Sequence, residues 1–390
     1  MKLIYLDHNA TTPIHPEVKS TVIEALDLFG NASSLHPFGF KAREAIESVR
    51  TRLLQFLGAT EGRIIFTSGG SESNNLVLKG LVCEGSICPH RLAPQHRPHV
   101  ITSSVEHDSV LTTISCLNRI GADVTVLNVD RTGMVDPDDV FKAIRPTTVL
   151  VSIMMANNEV GTIQPVAAIG RRLRERGIAF HCDAVQTVGK LAVNVDDLNV
   201  DYLALSGHKL NAPKGVGALY IRRTMSLCPL IHGGHQEGNL RAGTENNIGI
   251  IALGKAIEVA GRDREEDVRR IQALRDRLHD AIVRDLDGVH LNGHEIHRLP
   301  GTLNLSFEKV DGAAILEMLA MHGTGASTGS ACSSGDDAPS HVLVAMGIPA
   351  DLARSALRFS LGYGNTSDEI DEAASIIVQT VRRLRTLSPL

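Results

Sequence analysis

Short apolar runs alternate with segments of helical periodicity through the middle of the chain. RIIFTS (63–68), HVITSS (99–104) and DVTVLNV (123–129) carry the β-branched residues expected of strands. TTVLVSIMMA (147–156) is nearly continuous in apolar residues, which predicts a buried strand. IAFHCDA (178–184), DYLALSG (201–207) and GVGALYI (215–221) read the same way. Between them, SESNNLVLKGL opens a helix. VAAIGRRLRERG (166–177) is a second, stopped by Gly177 and basic in its last turns, where the helix dipole favours cations. Strands separated by helices predict an α/β fold, with a parallel or mixed sheet covered on both faces.

The pattern changes near residue 255. In DREEDVRRIQALRDRLHDAIVRDL, Val268, Ile271, Leu274, Leu278 and Ile282 recur every three or four positions, the mark of a long amphipathic helix. GTLNLSF (301–307) and ALRFSLG (356–362) follow as strands, and a closing helix starts near Asp368. This part reads as a smaller α+β domain.

Composition narrows the function. The chain has 390 residues, room for two domains, with 43% hydrophobic and 21% charged residues. A net charge of -5 gives no bulk basic surface for nucleic acid, and aromatics at 3% supply few stacking platforms, so no direct nucleic-acid binding is expected. No apolar run reaches the roughly 18 residues of a membrane span. The start, MKLIYLDHNATTP, lacks a signal-peptide layout, so a cytoplasmic protein is expected. The six cysteines, at 83, 88, 116, 182, 228 and 332, form no CxxC pair. CEGSICPHRLAPQHRPH (83–99) joins Cys83 and Cys88 to three histidines, but the spacing matches no standard zinc pattern and no metal is expected.

Candidate chemistry sits just beyond the strands, where α/β sheets bind ligands. In SGHKLNAPKG, Ser206, His208 and Lys209 follow a strand directly, where Lys209 is open between a site lysine able to form a Schiff base with a carbonyl cofactor and a surface lysine in a turn. HCDAVQ ends a strand on Asp183, an acid suited to a pyridinium nitrogen or to a helix cap. FTSGGSESNN places Gly70 and Ser71 at a helix start, whose N–H groups attract phosphate. GxGxxG and GxxxxGK are both absent, so a monophosphate fits better than a dinucleotide or nucleoside triphosphate. His107 in SVEHDSV follows a strand and is open between a ring that stacks on a flat cofactor and moves protons and a satisfied loop histidine, and the amides of ANNEVG suit a ring oxygen. Arg358 lies inside the apolar strand LRFSLG, where a carboxylate clamp and an internal ion pair are both open. Finally, GSACSSG (329–335) sets Cys332 among small residues, a loop suited to a thiol that must be reachable or move.

YLDHNATTP, FTSGGSESNN, EHDSV, NNEVG, DAVQ, SGHKLNAPKG, RAGTEN, GSACSSG and RFSLG occur in this order over almost the whole chain. The sequence resembles the cysteine desulfurases of the NifS/IscS type, within the class V aminotransferase-like enzymes dependent on pyridoxal 5'-phosphate (PLP), and the short GSACSSG loop resembles their first group. The resemblance implies PLP fold type I: a large domain, 16–257, with a mostly parallel seven-stranded sheet between helices, and a small domain of 1–15 and 258–390. It implies that Lys209 holds PLP, Asp183 meets the ring nitrogen, and Gln186 and Asn158 meet the ring oxygen. His107 would stack and act as acid and base. Gly70, Ser71, Ser206 and His208 would hold the phosphate, joined by Thr244 from the other subunit of a homodimer. Asn31, Asn158 and Arg358 would bind the substrate, L-cysteine, and Cys332 would take its sulfur as a persulfide for a protein acceptor. The sequence departs from the usual pattern at Gly70-Ser71, at Asn211-Ala212 and at its C-terminus, RRLRTLSPL, which lacks the tail used by housekeeping members to dock an iron–sulfur scaffold. The acceptor is therefore open between general iron–sulfur assembly, nitrogenase cluster assembly, and tRNA or DNA thiolation. A selenocysteine-lyase-like or other class V reaction is the alternative.

Overall fold

The computed structural model describes residues 3–82, 97–225, 227–329 and 339–387. Seven strands form one sheet in the order 63–67, 217–221, 202–206, 179–183, 148–152, 99–103, 123–127. Only Gly217–Ile221 runs against the rest. Alternate residues along each strand enter opposite apolar clusters. Ile64, Ile101, Val151, Phe180 and Leu203 pack on one face, while Ile65, Val100, Leu150, Ala179 and Tyr202 pack on the other. Both faces are dry, which is why these strands read as apolar runs rather than alternating ones.

Gly70–Val82 and Asp108–Arg119 cover one face, and Pro16–Ala25, Pro37–Phe56 and Val166–Arg174 cover the other. The apolar run at 147–156 is in the sheet only over Thr148–Ser152. Past it the chain still bonds the neighbouring strand through Ile153 and Met155, but the Met154 N–H turns to the Glu106 carboxylate. Pro16–Ala25 and Pro37–Phe56 carry proline in the first turn, and their caps are His15 and His36, each accepting a backbone N–H at 3.2 Å. Histidine is outside the usual capping set, so the sequence pattern does not flag these starts.

A second sheet of three antiparallel strands, in the order 357–360, 302–307, 289–292, packs on its own apolar cluster. The first described residues join it: Ile4–Tyr5 pairs with Thr324–Gly325, and Asp7 bridges Ser360. The amphipathic helix extends well upstream of residue 263, running over 39 residues from Asn247 to Asp285. Ile250, Leu253 and Ile257 pack with the large sheet, whereas Leu274, Leu278 and Ile282 pack with the small one.

Candidate active site

The C-terminal ends of the parallel strands, the start of Gly70–Val82 and the second sheet enclose a cleft of about 500 Å³. It is lined by Gly70, Ser71, His107, Asn158, Asp183, Gln186, Ser206, His208, Lys209 and Arg358, so most of the predicted site residues meet in one place. Asn31 and Thr244 are exposed and lie outside this lining. Asn31 instead accepts the Ser33 N–H at 2.9 Å. Cys332 lies outside the described residues, as do Cys83 and Cys88. The residues flanking 330–338, Gly329 on one side and Pro339 and Ser340 on the other, line the cleft.

Lys209 closes the one-turn helix Gly207–Lys209 beyond a sheet strand, and its Nζ donates to the carbonyls of Asn9 and, at 2.7 Å, Ala10. Asp183 ends its strand 7% exposed. Its carboxylate accepts from Asn74 Nδ2 at 2.7 Å and from the Val185 N–H at 3.0 Å. Among the described residues no cation pairs with it. A buried carboxylate with two neutral donors and no cation matches a site for a cationic ring nitrogen.

His107 caps Asp108–Arg119, its Nδ1 accepting from the Ser109 N–H at 3.0 Å. A neutral ring so held carries its proton on Nε2. At the helix start, a Cβ on Gly70 would fall 2.5 Å from Val185 Cγ2, so only glycine lets the helix approach the Asp183 strand end this closely. Burial, with Lys209, Lys214 and Lys190 nearby, lowers the His208 pKa to about 4, leaving a neutral donor beside Ser206. The Lys, the cation-free Asp and the helix start with its hydroxyls together fit PLP.

Arg358, 3% exposed, donates from Nη2 to Asp7 at 2.7 Å and from Nη1 to the Asn158 carbonyl at 3.1 Å. Among the described residues its buried Nε has no partner. The internal ion pair is thus present, and the guanidinium keeps a donor unspent. Sequence reading assigned no role to Asn9, Asn74, Lys190 or Glu159. Asn9 and Asn74 stand within DHNATTP and SESNN, but only the fold brings them to Lys209 and Asp183. Glu159 accepts from Ser340 Oγ at 2.5 Å. Burial pushes its carboxyl up, against the Ser340 hydrogen bond and the charges of His341 and Arg358.

The family model for class-V aminotransferases matches residues 4–373. The chain belongs to that family. Its members depend on PLP, in keeping with the residues of this cleft. The chain is 46% identical to the cysteine desulfurase IscS of Dictyoglomus turgidum, over 99% of this chain and 96% of that one. Among solved structures it superposes on a NifS-like protein with a TM-score of 0.90 at 35% identity, covering 98% and 100% of the two chains. It also superposes on SspA in complex with cysteine, with a TM-score of 0.80 at 38% identity, covering 92% and 99%.

Proposed function

We propose that this chain is a PLP-dependent cysteine desulfurase that moves sulfur from L-cysteine to Cys332 and on to a protein acceptor. The observation that carries this is the meeting of Lys209, cation-free Asp183, His107 and Arg358 in one cleft that also holds both flanks of the Cys332 segment. When bound, PLP supplies the electron sink that weakens the β-carbon–sulfur bond of cysteine.

Arg358 takes the substrate carboxylate with Asp7 and the Asn158 carbonyl holding the guanidinium in place. Lys209 moves protons at the substrate carbons, and His107 exchanges the proton at Nε2. The Cys332 thiolate attacks the substrate sulfur. A sulfur–sulfur bond forms and the carbon–sulfur bond breaks. Its electron pair goes to the β-carbon, which takes up a proton to give alanine. The persulfide on Cys332 then passes to the acceptor, an iron–sulfur scaffold or a thiolation enzyme.

A homodimer accounts for the residues outside the cleft. Ile23, Leu26, Phe29, Leu35 and Phe38 are each more than half exposed between 23 and 38, a patch that a second copy would cover. Asn31 lies within it, and Thr244 would reach the phosphate of the other subunit's site. Among the described residues no helix is long and apolar enough to cross a membrane, in keeping with a cytoplasmic enzyme.

The test measures alanine and sulfide released from L-cysteine under reductant, alongside the visible absorbance of bound PLP, for wild type and Cys332→Ala. Turnover abolished with the PLP band intact supports the assignment. Undiminished turnover in Cys332→Ala would refute the persulfide route and favour direct lyase chemistry.

A further inference from the structure

We infer that Lys190 is a positioning residue for the cofactor linkage: its ammonium fixes the orientation of Gln186 and disfavours a proton on the nitrogen joining Lys209 to PLP. This rests on the reading that Lys209 carries PLP.

Lys190 follows Gln186 by four residues, and its Nζ donates to Gln186 Oε1 at 3.1 Å and to Asn9 Oδ1 at 3.3 Å. A lysine ammonium only donates, so the amide oxygen of Gln186 has to face it. The Gln186 amide nitrogen is thereby committed to the other side, where it donates to the Asn9 carbonyl at 3.0 Å. Lys209 Nζ donates to that same carbonyl. Two lysine ammoniums and the Gln186 amide therefore converge on one residue, Asn9. A Gln186 held this way presents a donor, never an acceptor, toward a ring oxygen.

The surroundings do not cancel the Lys190 charge. Among the described residues, Lys209, Arg358, His8 and His208 are coupled to it. Burial, with Lys190 contributing in each case, brings both histidines to about 4, so they are neutral at physiological pH. A cavity of about 90 Å³ borders both lysines, and His15, Arg264 and Asp267 stand on its wall. Asp267 is bonded to Arg270 at 2.9 Å. Among the described residues no carboxylate bonds Lys190. Burial, then Lys209 and Arg358, brings Lys190 itself down to about 7. Like charges on neighbouring sites lower each other's proton affinity, so the coupling acts equally on the Lys209 nitrogen.

The experiment titrates the visible PLP band of purified holoenzyme against pH, for wild type, Lys190→Met, Lys190→Gln and Lys190→Arg. The two neutral variants should raise the midpoint on the order of one pH unit, a tenfold gain in proton affinity. Wild type should titrate more broadly than a single proton, because two coupled groups share the range, and the neutral variants should sharpen to one. Lys190→Arg, whose charge does not titrate in this range, should hold the midpoint at or below that of wild type and sharpen the transition to one proton. A purely structural role would lower PLP content without moving the midpoint of what stays bound. Should Lys190→Met lose PLP, Lys190→Gln decides, since its amide can still donate to Asn9. An unmoved midpoint with PLP bound overturns the inference alone. A wild-type band that survives in Lys209→Ala overturns the reading beneath it.

Discussion

Arg358→Ala separates two jobs that the structure gives to one guanidinium. The side chain is 3% exposed and holds Asp7 at 2.7 Å and the Asn158 carbonyl at 3.1 Å. Removing one partner of a buried pair costs about 3–5 kcal/mol, because the other charge is left alone. The Asp7 side chain is 19% exposed, so water recovers part of this, and about 2–3 kcal/mol is expected. The substrate loses a charge-assisted hydrogen bond worth about 1.5–3 kcal/mol, or roughly 10- to 150-fold in kcat/KM. Urea unfolding and steady-state alanine release measure the two effects. Asp7→Ala combined with Arg358→Ala should regain much of the stability, since no lone carboxylate remains, yet regain none of the kcat/KM. An Arg358→Ala enzyme that is destabilised but keeps its KM for L-cysteine would refute the reasoning and leave Arg358 as an internal ion pair only.

Two further outcomes follow from packing and burial. Gly70→Ala should cut PLP affinity, because the new Cβ lies 2.5 Å from Val185 Cγ2, and Val185→Ala added to it should restore retention of PLP on gel filtration. Glu106 is fully buried, bonded by Ser103 Oγ at 2.6 Å and the Met154 N–H at 3.0 Å, and burial raises its pKa to about 8. Its folded pKa exceeds the unfolded one, so its stabilising effect is complete below the unfolded value and is lost as pH rises toward 8. The slope is at most about 1.4 kcal/mol per pH unit. Glu106→Gln should flatten denaturant midpoints between pH 5 and about 8, and an unchanged slope there would refute the assignment.

The parallel sheet was legible because its strands are buried on both faces and so appear as runs of Val, Ile and Leu. Lys209 and Asp183 were legible because strand ends are where such sheets bind ligands. Asn31 and Thr244 came from resemblance alone, and in one chain both stand apart from the cleft. Lys190 was not legible. Nothing local in QTVGK distinguishes a surface lysine from one aimed at Asn9, which is 181 positions away. Asn9 carries little signal where it meets Lys209 and the Gln186 amide, because there it acts through its backbone carbonyl, and every residue has one; its bond to Lys190 uses the side chain. The helices from Pro16 and Pro37 were missed because their caps are histidines.

The pairing of the first described residues with the last sheet strand has a consequence for the order of events during synthesis. Asn9 N–H is held by Ser360 Oγ at 2.9 Å, across 351 positions. The Asn9 and Ala10 carbonyls that hold Lys209 are therefore locked only after Leu357–Ser360 has left the ribosome. The large sheet, complete by Ile221, is free to form while the rest is still being made. The nascent chain thus carries its cofactor lysine long before that lysine has its final neighbours. The surroundings of Lys209 are thus the last part of the cleft to be completed, assembled from the two ends of the chain.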